Sequence, residues 1–454
     1  MAEHDVIIVG GGPGGYIAAQ RLAERKLSVL LAEPRSLGGT CFAGGCVATH
    51  SLLHGAGLYR AARAAGPLGV DARDVTYSWA QMRAHQQETV RTLVGGIGAT
   101  LRRLGVTVVE EPARVLGAGE VEVGGERHEA EDIIIATGSV PSVPPIPGAI
   151  GNPHVVQPAG LVAVAEPPGR LTVLGADAVG LQMAQLFAAL GSTVTLVETL
   201  DEILPTMDAD LAATYRSSLQ GVDCRVGRRV ESIDGGAVNL SASGRAERVD
   251  ADLVVMSFGR LPRFEGWGAD RLDIDITPHG VTVDSCLRTN LPGVWAVGDV
   301  TGESSYAHGA YRMGEVVAAL ITDPAALERG QRMRWDAIPY TVAGWAEAAG
   351  VGLTEEECRR RGLDVVTATV PLVLTSRFVI DHGLSPAGAV KVIAERATKV
   401  ICGIHIFGPH AAEAIWGAAA VVEMELTVAE LRQVVFPHPT IAEGIREACW
   451  TIRD

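Results

Sequence analysis

An α/β protein built from two copies of one supersecondary unit, followed by an α+β region, is predicted by three observations. A strand, a glycine-rich turn, a helix and a second strand follow one another over residues 5–33. The same order returns 165 residues further on. From about Arg334 the texture changes to separate strand-like runs ahead of two helices. Length agrees with this, since 454 residues exceed one ordinary core and favour two to four domains. Apolar residues at 47% with aromatics at only 5% fit an α/β protein with many tight helix–sheet contacts, not a disordered or fibrous chain.

The first unit opens with DVIIVGGGPGG (5–15), a buried strand running into a turn, and continues into the amphipathic helix YIAAQRLAE. Gly10, Gly12 and Gly15 fit the G-x-G-x-x-G spacing of a dinucleotide-binding, Rossmann-like turn. There the first glycine turns the chain, the second lets backbone approach a pyrophosphate, and the third lets helix pack on strand. The next strand, LSVLLAE, ends at Glu33, placed to accept hydrogen bonds from a ribose. A lone glycine pattern is weak; strand, turn, helix, strand and terminal acid in order make it specific.

The second copy reads LTVLGADAVG, then the helix LQMAQLFAALG and the strand STVTLVE. Gly175, Gly180 and Glu198 stand at the offsets of Gly10, Gly15 and Glu33, but the middle glycine has become Asp177. Such a repeat implies two Rossmann-like units, one for a flavin and one for a nicotinamide dinucleotide. Between them lie IIIATGS (133–139), with Thr137 and Gly138 in its turn, and the proline-rich linker VPSVPPIPG (140–148). Later come GVWAVGDV, a strand ending near Asp299, and AHGAYRMG, the start of a helix carrying His308. In the last region DVVTATVPLVL, AVKVIAE and VICGIHIFG are the strand-like runs.

Charge and cysteine content narrow the setting. A formal charge of −15 argues against nucleic acid or an anionic membrane as partner. Lys26, Lys391 and Lys399 are the only lysines. No apolar run is long enough to span a bilayer, and the strand from Asp5 leaves no room ahead of it for a signal peptide. Seven mostly scattered cysteines do not form an extracellular disulfide framework. A cytoplasmic location is the expectation. In a reducing compartment the close pair Cys41 and Cys46, in GGTCFAGGCVATH (38–50), reads as catalytic more readily than as structural.

Together, GGGPGGYIAA (10–19), GGTC…GC (38–46), ATGS (136–139), VETLDEILPTMDAD (197–210), GRLP (259–262), AVGD (296–299), AH.A…G (307–314) and HPTIAE (438–443) resemble the flavoprotein pyridine nucleotide-disulfide oxidoreductases. The likeness is nearest to the dihydrolipoamide dehydrogenase branch and covers essentially the whole chain. It implies an FAD-binding domain from residues 1–147 and 271–333, an NAD-binding domain at 148–270, and a C-terminal dimerisation domain at 334–454. It implies a redox disulfide between Cys41 and Cys46, with Cys46 as the thiol beside the flavin and Cys41 as the thiol that meets substrate. Five residues of ideal helix turn through about 500°, so such a bridge needs a distorted first turn, which the glycines permit. A helix N-terminus would favour thiolate at Cys46.

By the same resemblance His438 is the acid–base group, supplied by the partner subunit of a homodimer whose active site is shared, and Glu443 positions it. Thr440 to Glu443 also spells a capping box for the last helix, and the two roles are compatible. Asp299 falls to the flavin's ribityl or phosphate region and His308 to its pyrimidine end, with Thr40, Thr137 and Gly138 on the flavin side.

Departures from the family pattern shape the functional expectation. After Cys46 the usual I-P-S-K is Val47, Ala48, Thr49 and His50, and the glutamate that pairs with the family lysine is Gln182. Removing one partner of a buried ion pair costs about 3 to 5 kcal/mol; removing both avoids that. His50 is therefore expected where the flavin-side cation stood. Asp177 sets a carboxylate near a pyrophosphate, at a cost of roughly 1 to 4 kcal/mol, or about five-fold to several hundred-fold in affinity. Turning into solvent or meeting an arginine would soften that. Glu198 followed by Thr199 and Leu200, with no arginine, favours NAD over NADP. Ala343, Trp345 and Ala346 replace the interface loop Y-T-x-P-E, Phe436–Pro437 precede His438, and Ala43 follows Cys41's neighbour Phe42. The leading expectation is electron exchange between NAD(H) and a small disulfide or dithiol, with FAD as cofactor. The alternative is an NAD-independent flavin dithiol oxidase that uses oxygen or another acceptor. A docked binding subunit is disfavoured, because the redox residues are intact.

Overall fold

The computed structural model describes residues 3–384 and 387–453. The chain separates into two compact units, one of Met1–Ser51, Gln81–Ser142 and Gly259–Trp335, the other of Leu52–Ala80, Val143–Phe258 and Asp336–Asp454.

In the first unit, strands Thr107–Val109, Val29–Ala32, His4–Val9 and Glu126–Ile135 lie side by side in that order and run parallel, and Val294–Ala296 joins Glu126–Ile135 in the same sense. A parallel sheet is covered on both faces, so its strands read as continuous apolar runs. Ile7, Ile8, Leu31, Ile133 and Ile134 are accordingly fully buried. An antiparallel hairpin, Ala113–Gly117 and Glu120–Val123, extends the sheet. Helices Pro13–Glu24 and Ala307–Thr322 pack together at a glycine contact. A Cβ on Gly314 would stand 2.6 Å from the carbonyl oxygen of Gly14. Short antiparallel strands Ser139–Pro141 and Arg260–Pro262 set the ATGS and GRLP motifs side by side.

The second unit repeats the plan. Strands Val222–Arg225, Thr193–Val197, Arg170–Leu174, Leu253–Met256 and Val155–Val156 form a parallel sheet, with helix Ala178–Ala189 following the second glycine turn. A three-stranded meander, Arg229–Asp234, Ala237–Ala242 and Arg245–Asp250, is inserted there. The C-terminal part is an antiparallel sheet in the order Tyr340–Val342, Ala348–Gly352, Ile401–Phe407, Ala389–Glu395, Val365–Pro371, backed by helices Ala411–Glu423 and Glu443–Thr451. The run expected as one strand through Leu374 stops at Pro371 and turns into a short 3-10 helix, Leu372–Leu374. Trp416 and Trp450, on the two backing helices, are 75% and 60% exposed. Within this unit Lys391 is buried and reaches Glu355 (2.5 Å) and Asp210 (2.9 Å), with Asp208 at 3.8 Å. His405, fully buried beside them, has Nε2 3.2 Å from the Leu353 carbonyl oxygen and Nδ1 3.3 Å from the Tyr340 hydroxyl. No helix among the described residues is long and apolar enough to cross a membrane.

Candidate active site

The first glycine turn is built as its spacing requires. Gly10 has φ +109°, in the region that favours glycine, and a Cβ on Gly15 would lie 1.9 Å from the Gly10 carbonyl oxygen. A Cβ on Gly12 would meet no atom within 4 Å, and no side chain caps the helix that starts at Pro13. Backbone N–H groups at a helix start carry partial positive charge, so this open mouth suits a pyrophosphate. Glu33 is buried and braces the turn: its Oε2 accepts the Gly11 N–H (2.8 Å) and its Oε1 the Arg35 N–H (3.0 Å). These residues fit the FAD that the motif implies.

Cys41 lies in a five-residue helix, Gly39–Ala43, and Cys46 is the first residue of the long helix Cys46–Ala64. The expected distorted turn is thus a complete break between two helices at Gly44–Gly45. Gly45 makes the approach possible, because a Cβ there would stand 2.7 Å from the Thr40 carbonyl oxygen. The two cysteines are free thiols here, Cys41 half-buried and Cys46 exposed.

Their protonation is asymmetric. The Cys41 thiol donates to Cys46 and is pushed well above its ordinary range, with desolvation adding to the shift. Cys46 is lowered to about 7, first by that donated bond and then by its own backbone N–H at the helix start and the Arg260 guanidinium; although the residue as a whole is exposed, partial desolvation around its sulfur opposes the shift, as does Asp299. Of the two, Cys46 is the one drawn toward the thiolate form.

Around it the two short strands deliver a polar frame. Arg260 donates from Nε to the Ser139 hydroxyl (2.7 Å) and from Nη2 to the Ser139 carbonyl oxygen (2.8 Å) and the Thr40 hydroxyl (3.3 Å). Ser139 in turn donates to Asp299 (2.5 Å), whose carboxylate lies 3.8 Å from Arg260. Gly138 has φ +72° and its carbonyl accepts the Arg263 N–H (2.9 Å), while the Thr137 hydroxyl lies 3.4 Å from the Arg263 carbonyl oxygen. The hydroxyls of Tyr16 and Tyr311 meet at 3.0 Å; burial raises both pKa values, and nearby Cys41 adds to the rise. His308 is the second residue of helix Ala307–Thr322 and stacks on Tyr306 at 5.4 Å. His50 lies one turn beyond Cys46. Part of it is exposed, and desolvation of the rest lowers its pKa, favouring the neutral ring.

The second glycine turn matches the first in backbone. Gly175 has φ +99°, and a Cβ on Gly180 would lie 2.0 Å from the Gly175 carbonyl oxygen. Glu198 mirrors Glu33, accepting the Ala176 and Leu200 N–H groups at 2.8 and 2.9 Å. The difference is Asp177. It neither turns into solvent nor finds an arginine, as the sequence suggested. Its Oδ1 caps helix Ala178–Ala189 by accepting the Gly180 N–H (2.8 Å), and the same oxygen accepts the Ser257 hydroxyl (2.8 Å). A helix start leaves N–H donors unsatisfied, and a capping carboxylate takes up one of them. Burial pushes the Asp177 carboxyl up, opposed by those two bonds. Here the mouth that would greet a pyrophosphate already holds a carboxylate. Gln182 is buried in the same helix.

Also in the second unit, His438 is largely exposed and its Nδ1 stands 3.1 Å from both oxygens of buried Glu443. Burial pushes the Glu443 carboxyl up. The Thr440 N–H (3.0 Å), the His438 ring and Arg446 outweigh it and hold the group below its ordinary range. With Nδ1 oriented by a carboxylate, Nε2 is left for proton transfer. The capping box is only half formed: Glu443 accepts the Thr440 N–H, but the Thr440 hydroxyl donates to the Pro437 carbonyl instead.

Sequence reasoning quoted GRLP without assigning Arg260 a role, and it gave none to Tyr16 or Tyr311. The signal for Arg260 was its place in a motif that returns to the first unit. The tyrosines sit on the two helices that meet at Gly14 and Gly314, which no local pattern pairs.

Residues 4–314 match the family described as pyridine nucleotide-disulphide oxidoreductase, and residues 338–449 match its dimerisation domain. The chain is 36% identical over 458 residues to a dihydrolipoyl dehydrogenase of Thermus scotoductus, covering 99% of this chain and 97% of that one. It is 33% identical over 470 residues to a leghemoglobin reductase of Glycine max, covering 100% and 88%. Among solved structures it is similar to LpdA from Mycobacterium tuberculosis (TM-score 0.85, 27% identity, 98% of each chain). It is also similar to a Cu(II) complex of the HOCl-induced flavoprotein disulfide reductase RclA from Escherichia coli (TM-score 0.83, 26% identity, 99% of this chain and 100% of that one).

Proposed function

From the premise that the chain belongs to the pyridine nucleotide-disulphide oxidoreductase family, as an FAD-dependent oxidoreductase carrying that family's dimerisation domain, we propose that it moves electrons between NAD(H) and a small disulfide or dithiol through Cys41 and Cys46. The observation that carries this reading is the meeting of Cys41 and Cys46 across the Gly44–Gly45 break, with the Cys41 thiol donating to a Cys46 that opens a long helix. Domain limits of 1–147 with 271–333, 148–270 and 334–454 belong to the same proposal, as does a homodimer whose active site takes His438 from the partner subunit.

Bound FAD supplies the two-electron carrier between the pyridine nucleotide and the cysteine pair. The chain's own residues do the rest. Cys41 needs a base, because its thiol is held protonated; His438 Nε2, with Glu443 behind the ring, accepts that proton. The Cys41 sulfur then attacks one sulfur of the substrate disulfide, and the first substrate thiolate leaves with the proton that His438 returns. The Cys46 thiolate attacks the Cys41 sulfur, closing the Cys41–Cys46 disulfide and releasing the second substrate thiolate. Two electrons pass from the cysteine pair to the substrate, and dithiol oxidation is the reverse. Arg260 steadies the Cys46 thiolate, and Ser139 and Asp299 steady Arg260. NAD is favoured over NADP by Glu198, since a carboxylate there repels a 2′-phosphate. Nearby Arg225 and Arg228 are engaged with Asp223 and Glu247.

A second reading, NAD-independent dithiol oxidation with oxygen or another acceptor, is favoured by one observation, the carboxylate of Asp177 at the helix mouth. Anaerobic titration of the yellow protein with NADH separates the two. Bleaching near one equivalent supports the first reading. No change with NADH, but a long-wavelength thiolate–flavin band with a dithiol, supports the second.

A further inference from the structure

At the other end of the first sheet, about 20 Å along the His4–Val9 strand from Gly10, three side chains converge that the redox chemistry does not use. In parallel register His4 pairs with Ala130, and His128 lies two residues before Ala130 on the same strand. Side chains two apart along a strand share a face, so His4 and His128 are diagonal neighbours on one face of the sheet. Their ring centroids are 5.8 Å apart. Glu3 precedes His4 and its Oε2 lies 3.1 Å from His128 Nδ1, while His4 Nδ1 is 3.3 Å from the Ser28 hydroxyl. One ligand atom from each of Glu3, His4 and His128 lies within 4.8 Å of the others.

We propose that Glu3, His4 and His128 form a binding site for a divalent transition-metal ion of the Zn(II) and Ni(II) class. Two imidazoles and one carboxylate are a donor set that such borderline ions prefer over Mg(II) or Ca(II), which take all-oxygen shells. Bonds of about 2.0–2.2 Å to a tetrahedral ion put neighbouring donor atoms roughly 3.3 Å apart. Closure from the observed spacing therefore needs movements of about 1.5 Å or less, which rotation of exposed Glu3 and half-buried His4 and His128 supplies. Water completes the shell on the exposed side. The ion ties the start of the first strand to the strand beside it. A plain hydrogen-bonded pair of Glu3 and His128 is the competing account, and it leaves the approach of His4 to them unused.

The test is isothermal titration of Ni(II) into full-length holoenzyme that carries no histidine tag, with the Cys41–Cys46 pair oxidised and other accessible thiols blocked. The expected result is one Ni(II) per chain, weakened at least about tenfold in both His4→Ala and His128→Ala and unchanged in His279→Ala, a change at an exposed histidine elsewhere. Melting temperature should rise with Ni(II) in the parent and in His279→Ala but not in the other two. Absence of stoichiometric binding overturns the proposal, as does binding that survives both His4→Ala and His128→Ala. If either variant fails to fold, Glu3→Gln reports in its place, because Glu3 is exposed and its loss should weaken Ni(II) binding in the same direction.

Discussion

The Cys46 thiol is drawn toward thiolate by what touches it, and that dependence can be measured. Thiolate absorbance of the reduced protein should titrate near pH 7, as an apparent value of the pair. In Cys41→Ala the donated bond is gone, so the midpoint should move upward; a midpoint unmoved by that change would assign the depression to other groups. For the proposed acid–base group His438, Glu443→Gln should lower kcat by about 10- to 100-fold through loss of ring orientation. Replacing His438 itself with Gln should cost about 10²- to 10⁴-fold. Equal effects on both would mean that the carboxylate does more than position. At this scale much was legible. Cys41, Cys46, His438 and Glu443 are named by motif, and the last two meet at 3.1 Å. What a side chain does when two options are open was not legible. Asp177 chose the helix start because the Gly180 N–H and Ser257 hydroxyl converge there, and Ser257 is 80 residues away.

That cap belongs to the helix Ala178–Ala189 as much as to the nucleotide. Asp177→Asn keeps a capping oxygen and removes the charge, so NADH affinity should rise about five-fold or more with the melting temperature nearly unchanged. Asp177→Ala should lose stability by about 0.5–2 kcal/mol. An NADH affinity untouched in both variants would show that the carboxylate does not compete with the nucleotide. Elements with strong local periodicity were read correctly, the two strand–turn–helix units above all, because Gly15 and Gly180 have no room for a Cβ and so cannot vary quietly. The meander Arg229–Asp234, Ala237–Ala242, Arg245–Asp250 was missed. Its exposed faces carry Arg, Glu and Asp, which hide the alternation. The break between the two cysteine helices was foreseen only as distortion, since glycines permit several shapes and Gly45 is chosen by a contact with Thr40.

Across the whole molecule the fold class was legible because one pattern occurs twice, and a repeated pattern is far harder to produce by chance than a single glycine turn. Long-range polar clusters leave no such trace. Lys391, Asp208, Asp210, Glu355 and His405 come from four separate stretches of sequence. Burial lowers the His405 pKa to about 4, aided by Lys391 and opposed by the Leu353 carbonyl and Asp210. Between the ordinary value near 6.5 and that depressed value the unfolded chain binds a proton that the folded chain refuses. Stability from this residue is therefore complete above pH 6.5 and is lost progressively toward pH 4, by at most roughly 3 kcal/mol. His405→Gln should flatten that part of the acid limb of the melting curve; an unchanged limb would place the loss in the carboxylates. The two outward indoles, Trp416 and Trp450, give the chain one more property. Of the other five, Trp79, Trp267 and Trp295 are buried and Trp335 and Trp345 half-buried, so the outer pair is the most open to a change in the chain's company. Any self-association that covers the outer pair shifts emission to the blue and shields it from iodide. The protein thus carries an intrinsic optical gauge of its own assembly, readable by simple dilution without a label.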